Sequence, residues 1–195
     1  MSAVPASAVT AAPRPRPRSR GRLLLVLALV ALLAAGGAFA AVELTREDAP
    51  ALPAAGRPAL LTAGTLAAVG GAVGHDVYGV RAPAGTTPEI TRGSDGETWV
   101  RYLRGDARPG DARADFLTIG TYPRSDALAA AKAAAEGDQQ RSAELPDGGV
   151  MLWSIERPES VYAASPGSDL LVEVYSPDAA QARSLVRDGA VAPLR

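Results

Sequence analysis

The hydrophobic pattern divides the chain into one long apolar run and a series of short segments. The long run extends from Leu23 to Val42 without a charged residue. At about 1.5 Å per residue, a helix of this length crosses the roughly 30 Å hydrocarbon core of a membrane. Basic residues precede the run directly, namely Arg14, Arg16, Arg18, Arg20 and Arg22. Because basic flanks stay in the cytoplasm, the pattern predicts a single transmembrane helix with its N-terminus inside.

The same run has a second interpretation as a cleaved signal peptide. Leu23–Leu33 would be its apolar core, Gly36 and Gly37 would interrupt the helix, and Ala38-Phe39-Ala40 has the small-x-small form of a cleavage site. The length of the apolar run favours an uncleaved anchor over cleavage near Ala40. Both interpretations place the rest of the chain outside the cytoplasm.

Composition divides the chain further into four expected regions. Residues 1–22, rich in alanine, proline and arginine, predict a disordered cytoplasmic tail before the transmembrane helix at 23–42. Residues 43–72 contain several prolines and predict an extended extracytoplasmic linker. The apolar, glycine-rich segment Leu60–Gly74, where this linker meets the domain, predicts a loop or a short packed helix. The folded extracytoplasmic domain is expected over residues 73–195.

Short segments rich in β-branched and aromatic residues, each bounded by Gly, Pro or Asp, predict the strands of this domain. They are Val77–Val80, Thr98–Arg104, Phe116–Tyr122, Val150–Ile155, Val161–Ala164 and Leu170–Tyr175. In the last segment, Leu170, Val172 and Val174 alternate with Glu173. This alternation predicts one buried and one wet face, which is typical of an antiparallel or edge strand.

Two alanine-containing segments between the strands predict helices. Ser125 is predicted to cap a helix over Asp126–Glu136. Ser176 is predicted to cap the second helix, with Asp178 in its first turn, where acidic residues favour the helix dipole. Gly189 is expected to end that helix.

The predicted elements form two similar strand–helix units. Asp115-Phe116-Leu117 leads to Tyr122 and a helix, and Asp169-Leu170-Leu171 leads to Tyr175 and a helix. This similarity predicts a duplicated β–α module and an α+β fold, a small antiparallel sheet covered on one face by two helices. The first unit resembles the sporulation-related repeat, a peptidoglycan-binding module of similar β–α character. That resemblance implies a cell-wall polymer as a ligand.

The composition excludes several kinds of site. The chain has no cysteine, so disulfides, cysteine-based zinc sites, iron–sulfur clusters and thiol nucleophiles are impossible. Its net charge is −1, and the residues after the arginine-rich tail are mildly acidic. A nucleic-acid partner is therefore not expected, since phosphate binding needs a basic surface. With Lys132 as its only lysine, the chain resembles single-pass membrane proteins of high-GC bacteria.

Few residues are candidates for catalysis or metal binding. His75 is the only histidine, so a Ser-His-Asp triad would have to use it with Asp76; we expect a surface residue instead. Asp106, Asp111 and Asp115 are candidate calcium ligands. Their spacing is not that of an EF-hand and arginines lie between them, so we expect a solvated loop without a metal.

Carboxylates and aromatic residues provide the remaining candidates. Glu156 and Glu159 would suit glycoside cleavage only within a cleft, and their turn sequence favours salt bridges with arginine. The aromatic residues on predicted strands are Trp99, Tyr102, Trp153 and Tyr162. They would form either a sugar-binding face or the core, and a small alanine-rich domain favours the core.

Taken together, the sequence predicts a single-pass membrane protein with a non-catalytic extracytoplasmic domain and no cofactor. Its expected partners are the lipid bilayer and an envelope protein or cell-wall polymer, and its expected role is binding or scaffolding at the cell envelope. The alternative is a secreted or anchored hydrolase that uses carboxylates or a serine with His75, released after cleavage near Ala40. A third possibility is a subunit of a larger membrane complex.

Overall fold

The structure is a computed structural model that describes residues 52–194. The predicted cytoplasmic tail, the transmembrane helix and the first part of the linker lie outside the described residues. Within residues 52–194, no helix is both long and apolar enough to cross a membrane.

The described chain is mostly antiparallel sheet with a few helices, in agreement with the predicted α+β class. The strands are β1 (Ala59–Leu60), β2 (Tyr78–Gly79), β3 (Thr86–Arg92), β4 (Thr98–Arg104), β5 (Thr118–Pro123), β6 (Gln140–Glu144), β7 (Val150–Ser154), β8 (Ser160–Ala164), β9 (Leu170–Tyr175) and β10 (Ala192–Pro193). The helices are α1 (Ala63–Ala72), α2 (Ala127–Ala135) and α3 (Ala179–Arg187). An 8-stranded sheet has the order β1-β3-β4-β5-β9-β8-β7-β6, and β2 pairs separately with β10.

The strand order is symmetric about the central β5–β9 pair. Gly120 faces Glu173 across this pair, at the middle of its register. On either side, the sheet runs outward through two antiparallel neighbours to an edge strand, and each central strand leads into a helix. Both predicted units thus contain a central strand followed by a helix.

The register also separates the two faces of the sheet, because residues directly opposite each other on paired strands share a face. One row across the centre is entirely apolar and consists of Ile90, Val100, Ile119, Val174 and Val161. Residues of α1 and α3, including Leu66, Val69, Ala182 and Val186, are buried in the same cluster. We call this side the core face.

The opposite face carries the row Trp99, Gly120, Glu173, Tyr162 and Leu152. We call it the aromatic face. Ala127 and Ala131 of α2 are buried here in a second cluster, which includes Leu152. The helices α2 and α3 thus lie on opposite faces, and the expectation that both cover one face is wrong. The register decides this, because neighbouring residues of a strand point to opposite sides.

Residues before Val73 belong to the fold. β1 pairs with β3, and Leu66 and Val69 of α1 are 3% and 0% exposed. Thr62 caps α1, and its side chain forms a capping box with Thr65. The domain therefore begins earlier than the predicted boundary at residue 73, because the apolar residues of α1 are buried against the sheet.

The helix caps differ from the prediction. The N-cap of α2 is Asp126 without a side-chain capping bond, and Ser125 is exposed. Asp178, rather than Ser176, caps α3 by accepting bonds from the N–H groups of residues 180 and 181. Ser176 is buried, where its hydroxyl bonds instead to the Gln181 side chain. Gly189 ends α3 at a positive φ of 65°, as predicted.

Candidate functional site

The structure does not assemble the catalytic arrangement considered around His75. Its Nδ1 lies 2.8 Å from the carbonyl oxygen of Asp76, and its Nε2 lies 2.7 Å from that of Gly96. Both ring nitrogens are therefore engaged by backbone. The described residues bring no serine hydroxyl into hydrogen-bond distance of the ring.

The acidic loop between β4 and β5 is organised by an arginine. The Arg113 side chain lies 2.9 Å from Asp111 and 3.6 Å from Asp106. Hydrogen bonds from Arg113 lower the pKa of Asp111. Among the described residues, no group of three histidine or acidic residues is placed so that it could hold a metal ion.

Glu156 and Glu159 lie on the turn between β7 and β8. Glu156 is exposed and Glu159 is half-buried. The expected salt bridge of either residue with Arg157 does not form in the described part of the chain.

The register divides the aromatic candidates between the two faces. Tyr102 lies in the core, 1% exposed, and its hydroxyl donates to the carbonyl of Val80 at 2.8 Å. Trp153 packs against the core on the same face, with the Arg183 guanidinium 5.6 Å from its ring centroid. Trp99 and Tyr162 lie half-buried on the aromatic face. The core assignment thus fits Tyr102 and Trp153 but not Trp99.

A glycine makes room for a third ring on the aromatic face. Gly120 lies opposite Glu173, and a Cβ at this position would fall 2.8 Å from ring and hydroxyl atoms of Tyr122. The absence of a side chain allows the Tyr122 ring to lie across the strand. The rings of Trp99 and Tyr122 meet edge to face, with centroids 6.0 Å apart and an interplanar angle of 79°.

These side chains form a directed chain of hydrogen bonds that ends at Glu173. The indole nitrogen of Trp99 can only donate, and it donates to the Tyr122 hydroxyl at 3.0 Å. That hydroxyl in turn donates to Oε2 of Glu173 at 2.7 Å. Burial raises the pKa of Tyr122 and of Tyr162, and the charge of Glu173 and a hydrogen bond to it raise both further. Both tyrosines therefore serve as neutral donors. We call Trp99, Tyr122, Tyr162 and Glu173 the aromatic cluster.

The carboxylate of this cluster has no cationic partner in the described part of the chain. Glu173 is only 7% exposed, and none of the salt bridges between described residues includes it. Arg157 is close enough to Tyr162 for its charge to lower the pKa of that hydroxyl, but it forms no ion pair with Glu173. The cluster thus joins a nearly buried negative charge to half-buried aromatic rings.

A separate groove lies on the core side, between the end of α3 and strands β8 and β9. Its volume is about 360 Å³, which is within the size range of small-molecule sites. Its lining combines apolar residues such as Leu145, Ala163 and Val186 with polar residues such as Asp147 and Arg187. Asp147 already accepts hydrogen bonds from Ser165 and from the Gly149 N–H, which lower its pKa.

Sequence reasoning identified only part of the aromatic cluster. Trp99 and Tyr162 were among the aromatic candidates, and Tyr122 was noted only as a marker of the repeated unit. The alternation predicts a solvent-facing Glu173. Its side chain does lie on the other face of β9 from Val172 and Val174, but Tyr162 is its cross-strand neighbour there and Glu173 is only 7% exposed. The available sequence signal was a single acidic residue, Glu173, in an otherwise apolar strand.

No family model matches this chain, and no curated protein or solved structure matches it either.

Proposed function

We propose that this chain is a single-pass membrane-anchored protein whose extracytoplasmic domain binds a component of the cell envelope without catalysing a reaction. The apolar run Leu23–Val42 and the arginines before it support the anchor and its orientation. The mildly acidic domain is suited to a partner other than nucleic acid.

The observation that carries the binding role is the aromatic cluster. Its rings are half-buried. The helix α2 packs over strands β6 to β9 of this face, where Tyr162 contacts its cluster, whereas Trp99 and Tyr122 lie on β4 and β5. Aromatic rings around one convergent polar group are typical of ligand recognition. Glu173 is held by a tyrosine donor, and no described nucleophile or histidine contacts it. This arrangement favours recognition over hydrolysis.

Location and binding are tested on the full-length chain with a C-terminal tag. We expect a membrane-bound chain of intact mass whose C-terminal domain is digested by protease added to whole cells. We also expect the detergent-solubilised chain to sediment with purified cell-wall material. A soluble product that begins just after Ala40 would contradict the anchor.

A pair of variants tests whether the aromatic cluster mediates this binding. Trp99→Ala removes a half-buried ring of the cluster, whereas Ile155→Ala shortens an apolar side chain that is 45% exposed elsewhere. We expect sedimentation with cell-wall material to fall in the first variant and to persist in the second. Equal sedimentation of both, with both folded by circular dichroism, would contradict the assignment.

A further inference from the structure

The unusual feature of the aromatic cluster is a nearly buried charge stabilised by neutral donors alone. Taking a carboxylate out of water is costly unless the charge is paired. Tyr122 donates a hydrogen bond to Glu173, and Tyr162 lies directly opposite it on β8, but neither supplies a positive charge. The charged groups that act on the two tyrosine hydroxyls are Glu173 itself and, at Tyr162, Arg157.

The rings are placed on both sides of this charge. Tyr162 lies on β8, directly opposite Glu173, and Tyr122 and Trp99 lie on the other side, on β5 and β4. Neighbouring strands are about 4.8 Å apart. Tyr122 and Tyr162 therefore lie on the two strands next to Glu173, and Trp99 lies one strand further away. A cation is attracted to an aromatic ring when it lies within about 6 Å of the ring centroid. A small cation at Glu173 would therefore lie between strands that carry aromatic side chains on both sides.

We propose that the aromatic cluster binds a cationic amino group of the envelope ligand, with Glu173 as its counter-ion and Trp99, Tyr122 and Tyr162 as its walls. This inference rests on the proposed binding function and specifies the chemistry of the ligand. An anionic group would be repelled by Glu173, and a neutral hydroxyl would leave its charge uncompensated.

The test uses the full-length chain in detergent and Trp99 as the reporter. The chain has 2 tryptophans, so Trp153→Phe leaves Trp99 as the only one. The probes are the tetramer of glucosamine, which carries ammonium groups, and the tetramer of N-acetylglucosamine, which is neutral. Both are titrated at the same ionic strength and at a pH at which the amines are protonated. We expect a saturable change in Trp99 fluorescence with the glucosamine tetramer alone.

The decisive variant is Glu173→Gln in the same background. It keeps the shape of the side chain and removes its charge, so we expect affinity for the glucosamine tetramer to fall about ten- to a hundredfold. Glu144→Gln makes the same change of net charge on the exposed edge strand β6 and is expected to leave affinity unchanged. Should Glu173→Gln not fold, competition replaces it: tetramethylammonium chloride should displace the probe, and sodium chloride of equal concentration should not.

Each contrary result overturns the inference in a distinct way. An equal response to the neutral tetramer would show sugar stacking without an ammonium contact, and no response to either would exclude the site for amines. If Glu173→Gln bound the glucosamine tetramer as tightly as its Trp153→Phe parent does, Glu173 would not be the counter-ion of the amine. If cell-wall sedimentation nevertheless depends on Trp99, only the ligand chemistry is wrong. If the chain binds the glucosamine tetramer but does not sediment with cell-wall material, the proposed envelope role is wrong instead.

Discussion

Two buried carboxylates on the same face of the sheet are accommodated in opposite ways. Glu89 on β3 is 0% exposed and lies 3.1 Å from the Arg101 guanidinium, and it also accepts a hydrogen bond from the Gly110 N–H. Glu173 on β9 is 7% exposed and accepts a hydrogen bond from the neutral Tyr122 hydroxyl at 2.7 Å. The first charge is paired within the described chain, and the second is not.

The difference separates a structural site from a candidate binding site. Arg101 also donates to the carbonyl of Asp111 at 2.6 Å, so the pair attaches the β4–β5 loop to the sheet. Burial still raises the pKa of Glu89, although Gly110 and Arg101 both act to lower it. A fully paired charge has little left to offer a ligand. The aromatic cluster, by contrast, offers Glu173 a hydrogen-bond donor but no counter-ion. The missing positive charge is the reason for proposing a cationic ligand.

The largest effect should follow from breaking the Glu89 pair. Arg101→Met leaves a buried carboxylate without its cation and releases the loop carbonyls, so we expect a loss of about 3–5 kcal/mol in the free energy of unfolding. Denaturant unfolding of the full-length chain, followed by circular dichroism, measures it. Arg113→Met breaks an ion pair whose arginine side chain is 48% exposed, so its loss of stability should be far smaller than that of Arg101→Met. Similar losses in both variants would contradict the structural role of the Glu89 pair.

The next effect comes from the glycine that shapes the aromatic cluster. Gly120→Ala places a Cβ 2.8 Å from Tyr122, so the ring must shift, at a cost of about 1–3 kcal/mol. The emission of Trp99, in the Trp153→Phe background, should change as well. Gly64→Ala in α1 is the matched control, because nothing lies within 4 Å of its Cβ. It should stabilise the helix by about 0.5–1 kcal/mol. An unchanged Gly120→Ala protein would mean that Tyr122 does not lie over this residue.

A smaller effect on stability is expected at Glu173. Glu173→Gln leaves no described cation unpaired and keeps an acceptor for Tyr122, so the free energy of unfolding should change by less than about 1 kcal/mol. The same unfolding experiment measures it, with Arg101→Met as the reference. A loss as large as that of Arg101→Met would show that Glu173 is structurally essential and would remove the contrast between the two sites.

At neutral pH the smallest effect is expected for tyrosine ionisation, which becomes measurable at high pH. The pKa values of Tyr122 and Tyr162 are raised above the usual value of about 10. Their contribution to stability is complete below the unfolded pKa and is lost as the pH rises through the folded one. A titration of the phenolate absorbance should show these groups ionising late, together with unfolding. In Glu173→Gln, where the negative charge is gone, they should ionise at lower pH; an unchanged titration would contradict their contact with Glu173.

The strands that the sequence predicted well are those with a clear apolar pattern. β4 and β9 agree with the prediction to the residue, because their alternation reflects one core-facing side. β3 was missed because Pro88 and Glu89 interrupt any strand pattern, and the charge of Glu89 is tolerated only through Arg101, a partner on the adjacent strand. β6 was missed because it is a polar edge strand that needs no buried face.

The aromatic cluster was less accessible to sequence reasoning than the fold. Its members come from four strands, and only the register brings Trp99, Gly120, Glu173 and Tyr162 into one row. A period of two places a residue on one of two faces, but it does not say which residues of another strand lie beside it. The same limit explains why α2 and α3 were expected on one face.

The sequence by itself determined the properties that depend on neighbouring residues. These are the strong patterns of β4 and β9, the presence of α2 and α3, the stop at Gly189 and the exclusion of all cysteine chemistry. The tertiary structure alone decided which charges are paired, which side chain caps a helix and which face each helix covers. The physical reason is that burial and electrostatic pairing depend on contacts between residues far apart in the chain, as between Tyr122 and Glu173.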